Sequence, residues 1–242
     1  VPDKLDDLRR FYRPRRDSEP NLYEIWEQGQ ARGDSVTPST YSALYRKWIH
    51  DKLVTALEDH GTSRLLSLGS GNAVVEKDIL DDGYEVLAVD ALDEAVALAR
   101  SKGITAQRED VTTWAPSAVW PVTYADGLLG HLYTSAVGLS GLMARIRLWL
   151  TDGTGRGTLI ISNDSPQNGE PVQAAPGVPG FHWLSGAYLR DEALASGFSE
   201  VTVEFFAYER PLSGERIRAV VTATAGERPG DSLRGGNHAD QR

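Results

Sequence analysis

Cysteine is absent from the 242 residues, so no disulfide framework, thiolate metal site or cysteine nucleophile is available. Basic charge is scarce. The 25 Lys and Arg face 34 Asp and Glu, a formal net charge of −9. Proteins that grip nucleic acid by its phosphates present a basic face, so this balance argues against DNA or RNA as a partner. No apolar run reaches the roughly 18 residues that a membrane-crossing helix needs. The opening Val1-Pro2-Asp3-Lys4-Leu5-Asp6 lacks the apolar centre of a signal peptide. A cytoplasmic protein with no membrane partner is expected. No Gly-Lys-Ser/Thr occurs, which excludes a P-loop nucleotidase. The five histidines show no metal-ligand spacing, so no metal is expected. What is present is an ordinary globular composition, 40% hydrophobic and 24% charged.

Three regions differ in character. Residues 1–60 read as helical and rich in aromatics. Residues 61–225 alternate short apolar runs with helical patterns. Residues 226–242 contain Pro229 and four glycines with almost nothing to bury, and read as a disordered tail. In the middle region, apolar runs at Arg64–Leu68, Tyr84–Val89, Ile104–Gln107, Ala125–Leu129 and Thr158–Ile161 predict strands. Helical patterns at Ala73–Asp82, Asp93–Lys102 and Leu139–Leu150 lie between them. Asp93–Lys102 carries acids first and bases last, which suits the helix dipole, and Gly103 ends it. Such alternation implies a parallel sheet with helices on both faces. A Pro/Gly-rich loop (166–180), a helix (Ser185–Ser196) and two strands (Val201–Tyr208, Ile217–Thr224) follow. The short separation of the last two predicts an antiparallel hairpin.

The chemistry starts at Leu66-Ser67-Leu68-Gly69-Ser70-Gly71-Asn72-Ala73, a strand, a tight glycine turn and a helix start. Glycines there let the backbone approach a ligand closely. Asp90 ends the next strand, nineteen residues after Gly71, where a carboxylate can accept both hydroxyls of a ribose. A dinucleotide fingerprint would place a small residue at 74, but Val74 stands there, and the third small residue is Ala73.

The tighter Gly-x-Gly-x-Ala spacing resembles the first motif of class I S-adenosylmethionine (SAM)-dependent methyltransferases. Val86-Leu87-Ala88-Val89-Asp90-Ala91-Leu92-Asp93-Glu94-Ala95 is similar to that family's second motif, and Arg108-Glu109-Asp110-Val111 to its third. Tyr124–Leu129 resembles the fourth strand, Gly153–Ile161 the glycine turn into the fifth, and Ser196–Val201 the junction before the final hairpin. The match covers about two-thirds of the chain. It implies a Rossmann-like, seven-stranded, mostly parallel sheet with a C-terminal antiparallel hairpin, helices on both faces and a helical N-terminal lid. It also implies SAM as cofactor and S-adenosyl-L-homocysteine as product. Gly69, Ser70, Gly71, Asp90, Ala91, Asp110 and Val111 would hold the cofactor, with Asp110 or its neighbour Glu109 facing the adenine. One departure stands out. The family's acid two residues before the first glycine, which helps hold the methionine amino group, is Ser67 here.

In this family the methyl group points over the end of the fourth strand, at Leu129-Gly130-His131-Leu132-Tyr133. His131 could take a proton from an acceptor hydroxyl, or only orient the acceptor, or simply pack beside the cofactor. His182 is a second candidate. Tyr12, Tyr23, Trp26, Tyr41, Tyr45 and Trp48 make the first sixty residues dense in aromatics. The resemblance assigns such a region to covering the cofactor, with Tyr23, Trp26, Tyr41, Tyr45, Tyr133 and His182 as candidate acceptor contacts. A helix over Thr40–Leu57 would offer Leu44, Ile49, Leu53 and Leu57 for packing. Arg9, Arg10, Arg13, Arg15 and Arg16 form a basic run that reads as a solvated terminus. No Asn/Asp-Pro-Pro-Tyr follows the fourth strand, which argues against a nucleic-acid base methylase. The expectation is an O- or N-methyltransferase, monomeric or homodimeric, acting on a small molecule of secondary metabolism. The alternatives are a non-catalytic SAM-binding protein and, less favoured, an NAD-dependent oxidoreductase.

Overall fold

A computed structural model describes residues 4–226 apart from Arg15, Asp17 and 152–155. The expected disordered tail beyond Gly226, the Gly153–Gly155 part of the fifth-strand turn and Arg15 of the basic run lie outside the described residues.

Helices α1 (Lys4–Tyr12), α2 (Leu22–Glu27), α3 (Pro38–Tyr41) and α4 (Ala43–Asp59) come first. The helix expected from Thr40 starts three residues later, because Ser42 is extended (φ −122°, ψ 107°) and caps α4 by accepting the Tyr45 amide on its side chain. Tyr45, Ile49, Leu53 and Leu57 are wholly buried along one face. Leu44, expected to pack, is 75% exposed. It lies roughly 140° around the helix from Ile49 at about 100° per residue.

The alternating region follows with β1 (Arg64–Leu68), α5 (Val74–Asp81), β2 (Glu85–Asp90), α6 (Asp93–Ser101), β3 (Thr105–Arg108), β4 (Val122–Asp126), α7 (Leu128–Leu132), α8 (Ser140–Leu150) and β5 (Gly157–Asp164). The fourth strand runs earlier than expected. Gly127 (φ 75°) ends it, and Leu128 and Leu129 open α7. Within the Pro/Gly-rich loop the chain forms a small ribbon of β6 (Val172–Ala174) and β7 (His182–Leu184), which the turn-forming composition concealed. Helix α9 (Gly186–Ala195) and the hairpin of β8 (Glu200–Arg210) and β9 (Gly214–Ala225) complete the described elements.

The seven-stranded sheet has the order β3-β2-β1-β4-β5-β9-β8. Strands β1 to β5 are parallel, and β9 is antiparallel to both β5 and β8. This is the expected fold class. Strand side chains alternate between faces. Leu65 packs with α4, α5 and α6 residues such as Leu53, Ile79 and Val96. Leu66 and Leu68 pack on the other face with Met143, Ile146 and Leu189 of α8 and α9. The same alternation turns Ser67 towards α5. The chain crosses from one side of β1 to the other between β3 and β4, which opens a crevice at the carboxyl ends of β1, β2 and β4.

Candidate active site

A cavity of about 640 Å³ occupies this crevice, within the span typical of small-molecule sites. Its floor is the glycine turn. Gly69 has φ 66°, and a Cβ there would come within 2.8 Å of Leu128 Cδ1, so the turn and α7 meet only because residue 69 lacks a side chain. Ala73 holds a left-handed conformation (φ 51°) that glycine would take without strain. The Gly71 amide donates to Asp90 Oδ2 at 3.1 Å, and the Leu92 amide to Oδ1 at 3.0 Å. Burial pushes Asp90 up to about 6, against the lowering effect of the Leu92, Gly71 and Ala91 amides.

Glu76 reaches Ser67 across the glycine turn. It projects from the first turn of α5, and its Oε1 accepts the Ser67 hydroxyl at 2.5 Å. Both residues are buried and Glu76 lines the cavity. Burial raises Glu76 to about 7 despite the Ser67 hydrogen bond, with the nearby Asp126 charge raising it further. Ser70 Oγ, also on the cavity wall, is buried without a hydrogen-bond partner. A glycine cradle, the buried Glu76 and half-buried Asp90 carboxylates and the Ser70 hydroxyl together fit a ligand with ribose hydroxyls and an ammonium group.

The N-terminal segment closes over this floor. Tyr12 stacks on Tyr23 (4.9 Å between centroids, 13°), and both meet Trp26 edge-on. Burial raises the Tyr12 and Tyr23 hydroxyls well above the ordinary tyrosine range, and the Asp90 charge adds to it. The segment is tied down at two places. Glu27 accepts from Asn72 Nδ2 and Lys102 Nζ, each at 2.8 Å. Asp34 accepts the Leu212 and Ser213 amides of the β8–β9 turn at 3.1 and 3.2 Å.

At the end of β4, His131 Nε2 lies 3.3 Å from the Tyr12 hydroxyl, and its ring packs 4.5 Å from Phe181. A Cβ on Gly130 would sit 2.4 Å from the His182 carbonyl oxygen, so a bare backbone lets α7 and β7 meet. Beyond lies a charged cluster. Arg218 pairs with Asp126 and, at 2.9 Å, with Asp164. Arg210 also pairs with Asp164, and the Tyr208 hydroxyl donates to it at 2.9 Å. Burial alone would raise Asp164, but the Arg218 and Arg210 guanidiniums outweigh it and hold Asp164 below the usual carboxylate range.

The structure gathers Gly69, Ser70, Gly71, Asp90, Ala91, Asp110, Val111, Tyr23, Trp26 and His131 around one cavity. Asp110 lines it while its Oδ1 accepts from Thr112 N and Oγ1, at 2.8 and 2.7 Å. Glu109 lines it too. Four candidates lie elsewhere. Tyr41 is 40% exposed at the end of α3. Tyr45 is buried behind the wall, its hydroxyl 3.0 Å from Ser162 Oγ and accepting Arg218 Nε at 3.1 Å. Tyr133 packs edge-on against His182 (4.9 Å) and Tyr188 (5.8 Å). The neighbours of His182, Phe181 and Trp183, reach the cavity instead of it. Tyr12, noted only as one of the N-terminal aromatics, also reaches the wall, as do Glu76, Asp126, Arg216 and Arg218, which local sequence patterns did not assign to the site. The signal for Glu76 was a carboxylate on the inward side of an amphipathic helix just after the glycine turn. Among the described residues no group of three His, Asp or Glu could hold a metal, and no helix is long and apolar enough to cross a membrane.

No protein-family model matches the chain. A relative, the tabtoxin biosynthesis enzyme of Pseudomonas amygdali pv. tabaci, is 43% identical over 211 residues, covering 86% of this chain and 82% of the relative. Magnesium protoporphyrin IX methyltransferase from Synechocystis PCC 6803, solved with bound SAM, is 17% identical with a TM-score of 0.57 over 91% of this chain and 98% of that one. A 1,6-didemethyltoxoflavin-N1-methyltransferase from Burkholderia thailandensis, solved with its acceptor and S-adenosylhomocysteine, is 20% identical with a TM-score of 0.53 over 81% of this chain and 94% of that one. At such identities the structural likeness is one of fold. The chain belongs to the family of the tabtoxin biosynthesis enzyme, and its fold is that of the class I SAM-dependent methyltransferases.

Proposed function

We propose that the protein is a SAM-dependent methyltransferase that methylates an oxygen or nitrogen of a small molecule in a secondary-metabolite pathway. The observation that carries this is the single cavity floor made by the Gly69–Gly71 turn, Asp90 and the Ser67–Glu76 pair. Asp90 would accept the ribose hydroxyls, Glu76 would face the methionine ammonium in place of the acid missing at 67, and Asp110 and Val111 would border the adenine. Ser70 Oγ would gain the partner it lacks. SAM would supply an electrophilic methyl group on a sulfonium. The chain's own contribution is binding, orientation and exclusion of water. The Tyr12–Tyr23–Trp26 cluster roofs the site as a lid, and His131 beside Tyr12 either removes a proton from an acceptor hydroxyl or orients the acceptor. The likeness to a tabtoxin biosynthesis enzyme supports a role in small-molecule biosynthesis, and the net charge of −9 favours a small acceptor over nucleic acid.

Calorimetric titration tests the reading. SAM should bind with micromolar affinity and NAD should give no heat. NAD binding without SAM binding overturns it in favour of an oxidoreductase. Mass spectrometry of candidate amines and alcohols incubated with SAM then separates methyl transfer from simple binding.

A further inference from the structure

Three arginines of the final hairpin line the end of the cavity away from the glycine turn: Arg210 on β8 and Arg216 and Arg218 on β9. Two of them are fully engaged. Arg218 holds Asp126 and Asp164, and Arg210 holds Asp164. Arg216 is different. It is only 5% exposed, and its Nε and Nη1 have no hydrogen-bond partner among the described residues. Its guanidinium lies over the Trp183 ring, 4.3 Å from the centroid. Residues 216 and 218 fall on the same face of β9, because strand side chains alternate. That shared face is why both reach the cavity.

Charge counting points to what Arg216 lacks. Three guanidiniums (Arg210, Arg216, Arg218) meet two carboxylates (Asp126, Asp164). The rim residues Arg32 and Asp34 add one charge of each sign and leave the balance unchanged. One positive charge is left over at this end, on a buried side chain, and a buried unpaired cation is costly. A guanidinium edge offers two parallel N–H donors that match a carboxylate, while an aromatic ring against its face fixes its plane.

We propose that Arg216 is the receptor for a carboxylate of the methyl acceptor, so that the substrate is a small carboxylic acid. Nε–H and the parallel Nη2 N–H beside it donate to its two oxygens, and Trp183 holds the fork in place. A monoanion closes the local charge count. A phosphate monoester, with about −1.5 to −2 charges, would overshoot it. The proposal rests on the reading of this cavity as a methyltransferase site only in naming the bound acid as the acceptor.

The test is a titration of the ¹⁵N-labelled wild-type protein, saturated with S-adenosylhomocysteine, observed at the arginine Nε–Hε resonances. Arg216 is assigned by the loss of its peak in Arg216→Lys. Trp183→Phe, which alters the ring-current shift, assigns it independently if the lysine variant does not fold. The probes are acetate, glycine and L-glutamate against acetamide, glycinamide and methyl phosphate. At least one carboxylate should move the Arg216 peak saturably, and its amide should bind at least about tenfold more weakly. If no carboxylate moves the peak, if amides move it equally, or if only methyl phosphate does, the proposal is overturned. Failure of S-adenosylhomocysteine to bind sinks the methyltransferase reading instead. The same titration on the protein without nucleoside then still decides whether Arg216 is a carboxylate receptor.

Discussion

The Ser67 hydroxyl and the Glu76 carboxylate share a buried 2.5 Å hydrogen bond between the last turn of a strand and the first turn of the helix after it. The proposed function gives Glu76 on α5 the ammonium contact that a β1 acid would make. A buried Glu76 raised to about 7 is poorly ionised in the free protein. A ligand ammonium would ionise it and release a proton. SAM affinity should therefore rise between about pH 5.5 and 7.5, with proton release visible as a buffer-dependent binding heat. Glu76→Gln should lose about 10- to 100-fold in affinity, the worth of a charge-assisted contact, and lose the pH dependence near 7, keeping only the part near 6 that Asp90 supplies. An unchanged affinity in this variant refutes the assignment.

The same substitution has a stability signature. Glu76 titrates at its ordinary 4.5 when unfolded and at about 7 when folded. The folded state holds the proton more tightly, so this stabilisation is complete below about pH 4.5 and is lost as pH rises through about 7. Glutamine never ionises. The variant should match the wild type near pH 4.5 and exceed it by up to about 3 kcal/mol at pH 8. Denaturant unfolding at the two pH values measures the difference.

Asp90→Asn keeps the shape of the turn but cannot accept both the Gly71 and Leu92 amides and the ribose hydroxyls as well. Loss of charge-assisted hydrogen bonds costs about 1.5–3 kcal/mol, so SAM binding should fall by one to two orders of magnitude while the circular dichroism spectrum stays native. Calorimetry reads the first and spectroscopy the second.

His131 and Tyr12 separate the two acceptor chemistries. If the acceptor is a hydroxyl, His131→Ala should lower kcat by about 10²- to 10⁴-fold, the usual span for a general base. The acidic limb of the pH profile should disappear with it. Tyr12→Phe, which removes the hydroxyl 3.3 Å from Nε2, should move that limb without abolishing it. Full activity of His131→Ala across pH refutes the general-base role and favours an amine acceptor.

Arg218→Met leaves buried Asp164 and half-buried Asp126 each short of a partner. Breaking one side of a buried ion network costs about 3–5 kcal/mol, so the melting temperature should drop sharply. A shift of under a degree would show that the cluster contributes little to the fold.

Much of this molecule is legible along the chain. The strand–helix alternation, the glycine turn, Asp90 and the final hairpin follow from side-chain periods and turn chemistry that operate within about ten residues. Where those signals were local but ambiguous the boundaries moved. Leu128 and Leu129 continue an apolar run yet open a helix, because Gly127 takes a positive φ before them. The ribbon at 172–184 was hidden by the prolines and glycines around it.

What sequence alone determined was the fold class and the half of the site that one strand–turn–helix unit builds. Only the tertiary structure decided the rest. It set Tyr12 beside His131 across 119 residues, drew Tyr45 away from the cavity to support Arg218 across 173, and laid Arg216 over Trp183. The physical reason is that backbone periodicity fixes which face a side chain points to, whereas its charge partner depends on which distant element is packed against that face.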